Sequence, residues 1–314
     1  MKSFQLTRLN LSSYQDPLFS QREKEALESL GLRYTPLEQI DSSPLIILTN
    51  THTRLERFKK LLPQTKLIIH PNSGYDNLAQ DYQLISQIPT VIGHQIRAQA
   101  VAEWILSSFW EASVKRPLHE TWDSGRKWQR TLLNKKEVVV FGHGNIGKKI
   151  STSLEIMGVK VHIVDPYLPG HYKSFKELEK KKYHALIVCC GLNDLNKGMF
   201  NTELFDHLGF EVFINGARGG LVNENDLKNY LALNKDSHAY LDVFEKEPFG
   251  EEWFHIERVY KSSHIAGVYQ KLDQAIIDFE HRVLENFLNL DEETFKLKFH
   301  SELLSTKFRE GVII

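Results

Sequence analysis

Short apolar runs and helically spaced apolar residues alternate along the first hundred positions of the chain. The runs have the length of buried strands, and the stretches between them have the period of helices that pack on a sheet. Gly31 is expected to end the first helical stretch. This order favours a small open parallel sheet with helices on its faces. The predicted elements are a helix at Ser20–Leu30, a strand at Pro44–Leu48, a helix at Arg54–Leu62, and strands at Lys66–Ile69 and Pro89–Gly93.

A second block of alternating elements follows a long helical stretch. That stretch runs from Ala98 to Val114, and Pro117 is expected to end it. Helical segments separate most of the apolar runs that come next, which is the pattern of a doubly wound sheet. These runs predict strands at Val138–Phe141, Val161–Val164, Ala185–Cys189, Val212–Ile214 and Ala239–Leu241.

The end of the chain returns to a helical pattern. Leu272–Leu290 is amphipathic, with its apolar residues on one stripe, whereas Asp291–Ile314 is less regular. We therefore expect two α/β domains, one inserted into the other, with Ala98–Val114 and Leu272–Leu290 as connecting helices. A ligand is then expected in a cleft between the domains.

Size and charge limit the classes of protein to consider. The chain has 314 residues, of which 41% are hydrophobic, so two domains with sizeable cores are possible. Its formal charge is −1, so there is no basic field to hold nucleic acid or an anionic membrane. No apolar run approaches the length of a membrane span, and Met1–Asn10 has no secretory apolar core. We expect no membrane or nucleic-acid partner and a cytoplasmic location.

Cysteine usage fits a reducing compartment. Cys189 and Cys190 are the two cysteines, and they are adjacent on a predicted strand. Neighbouring strand residues point to opposite faces, so we expect no disulfide between them. No other residues complete a set with metal-ligand spacing, so no metal is expected.

The most informative motif is the turn Gly142-x-Gly144-x-x-Gly147, which joins the strand at Val138–Phe141 to a helical pattern. Glycines at these positions allow a tight turn, the approach of a pyrophosphate and close packing of helix on strand, while the helix N-terminus attracts phosphates. Asp165 ends the next apolar run, about 20 residues on, where an acid binds the ribose hydroxyls of NAD and repels the extra phosphate of NADP. The alternative is an ordinary glycine-rich turn, with Asp165 as a solvated acid.

Three candidate catalytic residues lie further along the chain. Arg218 lies among small residues after a buried strand, where it could grip a carboxylate or brace a loop. Glu247 and His264 are 17 residues apart and can meet at neighbouring strand-end loops. A carboxylate beside a histidine favours the imidazolium form, which is a competent general acid. The alternative for His264 is a loop histidine bonded to backbone.

Together, these segments resemble the D-isomer-specific 2-hydroxyacid dehydrogenase family over roughly residues 66 to 285. The resemblance implies a Rossmann-type doubly wound NAD domain inserted into a smaller flavodoxin-like α/β substrate domain. The expected bounds are 1–97 for the first part of the substrate domain, 98–270 for the NAD domain, and 271–314 for a C-terminal helix and tail that return to the substrate domain. The motifs that carry it are Gly142-His-Gly-Asn-Ile-Gly147 with Asp165, Asn215–Gly220, Leu241–Pro248, Ser263–Gly267, Val101-Ala-Glu103 and Ser73–Asn77.

The resemblance also implies roles for individual residues. Arg218 would hold the substrate carboxylate and polarise the 2-oxo group, His264 would exchange the proton, and Glu247 would orient His264. Backbone N–H groups of Ser73 and Gly74 would bind the substrate carboxylate, and Asp242 would hold the nicotinamide carboxamide. Besides the three glycines of the turn and Asp165, the residues expected to line the cofactor site are Asn145, Ile146, Cys190, Gly191, Gly216 and Ala217.

The expected function is therefore that of an NAD-dependent oxidoreductase that interconverts a 2-oxo acid and a D-2-hydroxy acid. The family is usually a homodimer, and Trp104 and Trp110 could supply the interface or pack within the monomer. The alternative function is a corepressor-like binding module that senses NAD(H) and has little catalytic role. The chain departs from the family pattern at several positions, namely Asn72, Arg97, Gly191, Asn196, Lys197 and Asn223.

Arg97 is the departure with a possible chemical meaning. Its guanidinium could meet a second anionic group on the substrate. The alternative is a solvated arginine with no partner.

Overall fold

The computed structural model describes residues 4–114, 118–125, 127–128, 131–309 and 312–313. The chain divides into two compact units. The first comprises residues 1–97 together with 268–314, and the second comprises residues 98–267. The second unit is thus an insertion in the sequence of the first. Pro117, predicted to end the long helix, lies outside the described residues.

The first unit is built on a five-stranded parallel sheet with the order β2-β1-β3-β4-β5. This order is that of the flavodoxin-like fold, as predicted. The strands are β1 Gln5–Arg8, β2 Arg33–Tyr34, β3 Leu45–Leu48, β4 Thr65–His70 and β5 Thr90–Ile92. The helices are α1 Phe19–Glu28, α2 Asp76–Gln80, α3 Tyr82–Ile85, α8 Leu272–Asn289 and α9 Glu292–Lys298, and a short antiparallel pair, β12 Phe308–Arg309 and β13 Val312–Ile313, closes the chain.

The sheet of the first unit is covered on both faces. Ile46 and Leu48 of β3 point to one side, where they join a cluster with α1 and α8. Leu45 and Ile47 point to the other side and pack with α2, α3 and the segment at 55–64. Alternation along a strand therefore explains why these parallel strands read as continuous apolar runs.

Two predictions for this unit were wrong in part. The segment predicted as a helix at Arg54–Leu62 is a 3₁₀ helix, Leu55–Gln64, interrupted at Phe58, whose φ of −116° is not helical; Pro63 lies near its end. The tail predicted to be less regular contains α9, whose first turn is capped by Asp291: its side chain accepts a hydrogen bond from the N–H of Thr294.

The second unit is built on a six-stranded parallel sheet with the order β11-β10-β9-β8-β6-β7. The chain leaves β6 towards β7 and then crosses to β8 on the other side, so the strand order reverses beside β6. Open α/β sheets bind ligands at the carboxyl ends of the strands at this point. The strands are β6 Glu137–Phe141, β7 Lys160–Val164, β8 Lys181–Val188, β9 Leu208–Asn215, β10 His238–Leu241 and β11 Val259–Lys261.

Helices cover both faces of the second sheet. They are α4 Ala98–Ser113, α5 Asn145–Ile156, α6 Thr202–His207 and α7 Glu224–Leu233. Val138 and Val140 of β6 pack with α4 and α5, whereas Val139 and Phe141 pack with α6 and α7. The doubly wound parallel sheet predicted for this region is confirmed.

Candidate active site

The polar residues predicted to act in the second unit all follow strands of its parallel sheet. Asp165 follows β7, and Cys190 follows β8 by two residues. Arg218, Glu247 and His264 follow β9, β10 and β11, which are neighbours in that order. Since the strands are parallel, these residues gather at one edge of the sheet. The glycine turn after β6 lies at the same edge.

The glycine turn has the close contacts that its spacing predicts. A Cβ on Gly147 would lie 2.0 Å from the carbonyl oxygen of Gly142, so the start of α5 packs directly on the turn. Gly144 is exposed, and a Cβ there would meet no described atom within 4 Å. Gly144 has no side chain with which to cap α5, which leaves the first N–H groups of the helix, at Asn145 and Ile146, available to an anion. These residues therefore fit the pyrophosphate of a dinucleotide.

Asp165 is buried, which excludes the alternative of a solvated acid. It is 8% exposed. One carboxylate oxygen accepts a hydrogen bond from the N–H of His143 at 2.9 Å, and the other accepts from the N–H of Tyr167 at 3.0 Å. The backbone of the glycine turn thus fixes the carboxylate beside the helix N-terminus, where a ribose of the dinucleotide would lie.

Residues after β8 and β9 form the neighbouring part of this edge. Cys190, Gly216 and Ala217 are partly buried, and Gly191 is exposed. Cys189 and Cys190 are free thiols, and burial raises the pKa of both, that of Cys190 to about 12. Neither cysteine is therefore a nucleophile at neutral pH.

His264 and Glu247 form a hydrogen-bonded pair at the strand edge. Nδ1 of His264 lies 2.8 Å from Oε2 of Glu247, and Oε1 of Glu247 accepts a hydrogen bond from the N–H of Phe244 at 3.1 Å. Both side chains keep contact with solvent, with 51% and 38% of their surfaces exposed. The pair occupies Nδ1 and leaves Nε2 of His264 to face a reactant. His264 is thus bonded to a carboxylate rather than to backbone.

The electrostatics of Glu247 fit this pairing. Burial raises the pKa of its carboxyl, but the hydrogen bond and charge of His264, the Phe244 N–H and the charge of Arg218 together bring that pKa below its ordinary value. Glu247 is therefore ionised at neutral pH, next to the His264 ring and near the cationic side chain of Arg218.

Asp242 organises the loop that carries His264, a function that sequence reasoning missed. Asp242 is 1% exposed. Its Oδ1 accepts hydrogen bonds from the Ser262 hydroxyl and the Ile265 N–H, and its Oδ2 accepts from the Ala266 N–H. His264 has a φ of 55°, in the left-handed region that non-glycine residues rarely adopt, and these bonds hold it there. The role of Asp242 at a nicotinamide carboxamide stays a prediction.

Arg218 is positioned by a buried asparagine. Asn215, which is fully buried, donates to the carbonyl oxygen of Arg218 at 3.0 Å and accepts from the N–H of Ala217 at 3.0 Å. Nη1 of Arg218 donates to the carbonyl oxygen of Ala217 at 2.7 Å. The chain turn at the end of β9 is therefore fixed by side-chain bonds, which sets the direction in which the guanidinium can reach.

The loops of Arg218 and Glu247 pack directly on each other. A Cβ on Gly219 would lie 1.9 Å from the carbonyl carbon of Phe244. Glu224 holds the second loop, because it accepts hydrogen bonds from the N–H of Glu245 at 2.7 Å and from Nε1 of Trp253 at 3.2 Å. Glycine at 219 is therefore what permits these two loops to lie together.

Ser73 and Gly74 lie in the first unit, in the loop after β4. His70 supports this loop: its Nε2 donates to the carbonyl oxygen of Gly74 at 2.7 Å, and its Nδ1 lies 2.9 Å from the Thr49 hydroxyl. Burial lowers the pKa of His70 to about 4, so the ring is neutral. Both Ser73 and Gly74 are partly buried, and their predicted role at a substrate carboxylate stays a prediction.

Arg97, the last residue before the second unit, is buried, so the alternative of a solvated arginine with no partner is wrong. It is 8% exposed, and it bonds to Pro71 and Tyr14.

Trp104 and Trp110 of α4 are partly buried against the core of the second unit, so packing within the monomer is what the structure shows for them. The predicted homodimer stays a prediction.

Two features are absent from the described part of the chain. None of its helices combines the length and the apolar character that a membrane span requires. Nor do its described histidines, cysteines and acids form a group of three or more that could hold a metal ion.

Sequence comparisons identify the family. The model of the D-isomer specific 2-hydroxyacid dehydrogenase NAD-binding domain matches residues 110–266. An erythronate-4-phosphate dehydrogenase from Saccharophagus degradans is 28% identical over 200 residues, which are 54% of this chain and 52% of that protein. A glyoxylate/hydroxypyruvate reductase from Arabidopsis thaliana is 31% identical over 140 residues, 42% of each chain. The matches thus span about half the length of these relatives.

Solved structures agree with this assignment at the level of the fold. The D-lactate dehydrogenase of Aquifex aeolicus, in complex with NAD and lactic acid, superposes with a TM-score of 0.71 at 20% identity, over 96% of this chain and 99% of that one. A family member from Xanthobacter autotrophicus in complex with NADPH gives 0.71 at 19% identity, over 94% and 100%. The chain belongs to the D-isomer-specific 2-hydroxyacid dehydrogenase family and carries its NAD-binding domain.

Proposed function

We propose that this protein is an NAD-dependent oxidoreductase that interconverts a 2-oxo acid and a D-2-hydroxy acid. The observation that carries the proposal is the 2.8 Å pair of His264 and Glu247, with Arg218 on the next strand-end loop of a family NAD domain. A proton donor beside a guanidinium is the equipment that reduction of a 2-oxo acid requires.

Each residue has a part in the reduction. Arg218 holds the substrate carboxylate and draws electron density from the 2-oxo group. Nε2 of His264 gives its proton to the carbonyl oxygen. Nδ1–H of His264 remains hydrogen-bonded to Glu247, whose negative charge stabilises the imidazolium before the transfer. Backbone N–H groups of Ser73 and Gly74 bind the substrate carboxylate. The bound dinucleotide supplies the hydride.

The cofactor would be held by the residues of the sheet edge. Asn145 and Ile146 would hold the pyrophosphate, Asp165 the adenosine ribose, and Asp242 the nicotinamide carboxamide. Cys190, Gly191, Gly216 and Ala217 line the site between them. The proposal also includes a homodimer and a reducing, cytoplasmic location, neither of which affects the reaction chemistry.

The pH profile tests the coupling of Glu247 to His264. Reduction needs the proton on His264, so its rate should fall as pH rises, and the charge of the ionised Glu247 favours the protonated form. In Glu247→Gln the charge is gone, and we expect this falling limb to move down by about one pH unit. The measurement is kcat/KM for reduction from pH 5 to 9 with saturating NADH. Glu245→Gln, a change at an exposed neighbour in the same loop, should leave the falling limb in place. If the limb also stayed in place in Glu247→Gln, Glu247 would not be coupled to His264.

Cofactor preference follows from Asp165. Its buried carboxylate should repel a 2′-phosphate, so we expect the Kd of NADH to be at least about tenfold below that of NADPH. Asp165→Ser removes the charge that repels the 2′-phosphate, so the ratio of the two Kd values should narrow. The serine hydroxyl can still accept one of the two backbone N–H bonds, which should help to keep the turn in place. Fluorescence titration of both cofactors measures the ratio. Tighter binding of NADPH to the unmodified protein would refute the preference.

A further inference from the structure

Arg97 is a buried cation whose partners are all uncharged. Its Nη1 donates to the carbonyl oxygen of Pro71 at 2.9 Å, and its Nη2 donates to the hydroxyl of Tyr14. The guanidinium carbon lies 5.4 Å from the centroid of the Tyr14 ring. No carboxylate of the described residues forms an ion pair with it. Taking a charge out of water without a counter-charge is costly, so the position requires an explanation.

A second arginine of the same unit, with a buried side chain, shows the contrast. Arg8 bonds through Nε to both oxygens of Glu23, at 2.7 and 3.0 Å, and through Nη2 to Glu280. Burial lowers the pKa of Arg8, but the charges of Glu280 and Glu23 more than reverse this and raise it above the ordinary value. The charge of Arg8, which has a structural role, is therefore balanced by two carboxylates of the same unit.

Arg97 receives no such compensation. Burial lowers the pKa of its guanidinium, and the hydrogen bond to Tyr14 and the nearby side chains of Tyr269 and Asp273 offset this only in part. Asp273 is engaged elsewhere: its Oδ2 accepts from the N–H of Asp16 and lies 3.6 Å from Nη2 of Arg22. The missing negative charge is thus not provided by the described protein groups.

The position of Arg97 relates it to the substrate loop. Pro71, whose carbonyl it binds, begins the loop that contains Ser73 and Gly74. Tyr14, its other partner, is 38% exposed, so the guanidinium has a solvent-facing neighbour that can move. A guanidinium has further N–H donors beyond the two bonds named, and these suit a carboxylate or a phosphate.

We propose that Arg97 binds a second anionic group of the substrate, distant from the 2-oxo acid group, so that dianionic 2-oxo acids are the preferred substrates. The inference rests on the proposed function for the reaction itself. The anion supplies the charge that the buried guanidinium lacks, through hydrogen bonds of the charge-assisted kind. A carboxylate and a phosphate share this chemistry, and matched substrates separate them.

Steady-state kinetics with paired substrates provide the first test. The pairs are 2-oxovalerate with 2-oxoglutarate, and hydroxypyruvate with its 3-phosphate, which differ by one terminal anionic group. We expect the favoured dianion to exceed its partner in kcat/KM by about 10- to 100-fold, the range of a hydrogen bond to a charged group. Arg97→Gln should erase that advantage and leave the monoanions within about twofold, and Arg97→Lys should keep part of it.

Arg33→Gln is the matched control. Arg33 lies in the same unit but is 51% exposed and paired with Asp41, so its loss should leave the preference unchanged. The pair that shows the advantage identifies the anion as carboxylate or phosphate. No advantage in either pair, or a uniform loss across both classes in Arg97→Gln, would overturn the proposal.

Ligand binding without turnover separates this proposal from the proposed function. Succinate and inorganic phosphate, with acetate as the monoanionic reference at equal ionic strength, are titrated into the protein while Tm is followed. We expect succinate or phosphate to raise Tm more than acetate in the unmodified protein and not in Arg97→Gln; Tyr14→Phe, which keeps the ring and loses the hydroxyl, should retain the effect. Anion binding through Arg97 without any reductase activity would leave this subsite standing and refute the reaction. Turnover without a preference for dianions would support the reaction and refute the Arg97 subsite.

Discussion

Replacing Arg218 with Ala is expected to lower kcat/KM for reduction by about a hundredfold or more. The guanidinium makes charge-assisted bonds to the substrate carboxylate and stabilises charge on the carbonyl oxygen in the transition state, and losing such a donor costs about 3 kcal/mol. Binding of NADH should survive, because the glycine turn and Asp165 lie after other strands of the sheet. Stopped-flow or steady-state kinetics measure the first effect, and fluorescence titration of NADH measures the second.

Arg218→Lys refines this expectation. A lysine keeps the charge but not the planar pair of donors, so it should recover only part of the activity. Asn215, which holds the turn of Arg218, should remain in place in both variants. A rate within about threefold of the unmodified enzyme in Arg218→Ala, with any good substrate, would remove Arg218 from the reaction.

Replacing Gly219 with Ala is expected to have an effect of similar size through geometry alone. The new Cβ would lie 1.9 Å from the carbonyl carbon of Phe244, so the loop of Arg218 and the loop of Glu247 must separate. A displacement on the order of 1 Å in reacting groups costs about a hundredfold in rate. The measurement is kcat/KM at saturating NADH, together with Tm to show that the variant folds.

The adjacent glycine offers a control. A Cβ on Gly220 would lie 3.0 Å from Cδ2 of Leu192, the end of a flexible side chain that can turn away. Gly220→Ala should therefore keep activity within about threefold, since no backbone has to move. Equal losses in the two variants would mean that contact between the loops is not what fixes Arg218 and Glu247.

Much of the second unit could be predicted because local patterns decide it. The continuous apolar runs arise from strands covered on both faces, and the glycine turn needs its residues within one strand and one helix. The pairing of Glu247 with His264 was also predictable, because loops after neighbouring parallel strands share an edge. These features depend on chain order, which the sequence contains.

Other features depend on contacts between distant segments. The segment Gln5–Arg8 is mostly polar and no strand is predicted there, yet it forms β1 between β2 and β3. Gln5 and Thr7 are buried, and Arg8 is paired with Glu23 and Glu280. The bonds of Asp242 to the loop of His264 are decided by how the chain returns after β11. The burial of Arg97 likewise comes from Pro71 and Tyr14, whose positions no local pattern near residue 97 indicates.

The most direct test of the central claim is NADH oxidation, followed at 340 nm, with a panel of 2-oxo acids: glyoxylate, hydroxypyruvate, pyruvate, phenylpyruvate, branched 2-oxo acids and the dianionic pairs. Chiral chromatography identifies the enantiomer formed. We expect turnover of at least one member to the D-2-hydroxy acid (where the product is chiral), with activity lost in His264→Ala. Tight NADH binding without turnover of any member, together with a stable protein partner recovered in the presence of NADH, would contradict it and favour an NAD(H)-sensing binding module.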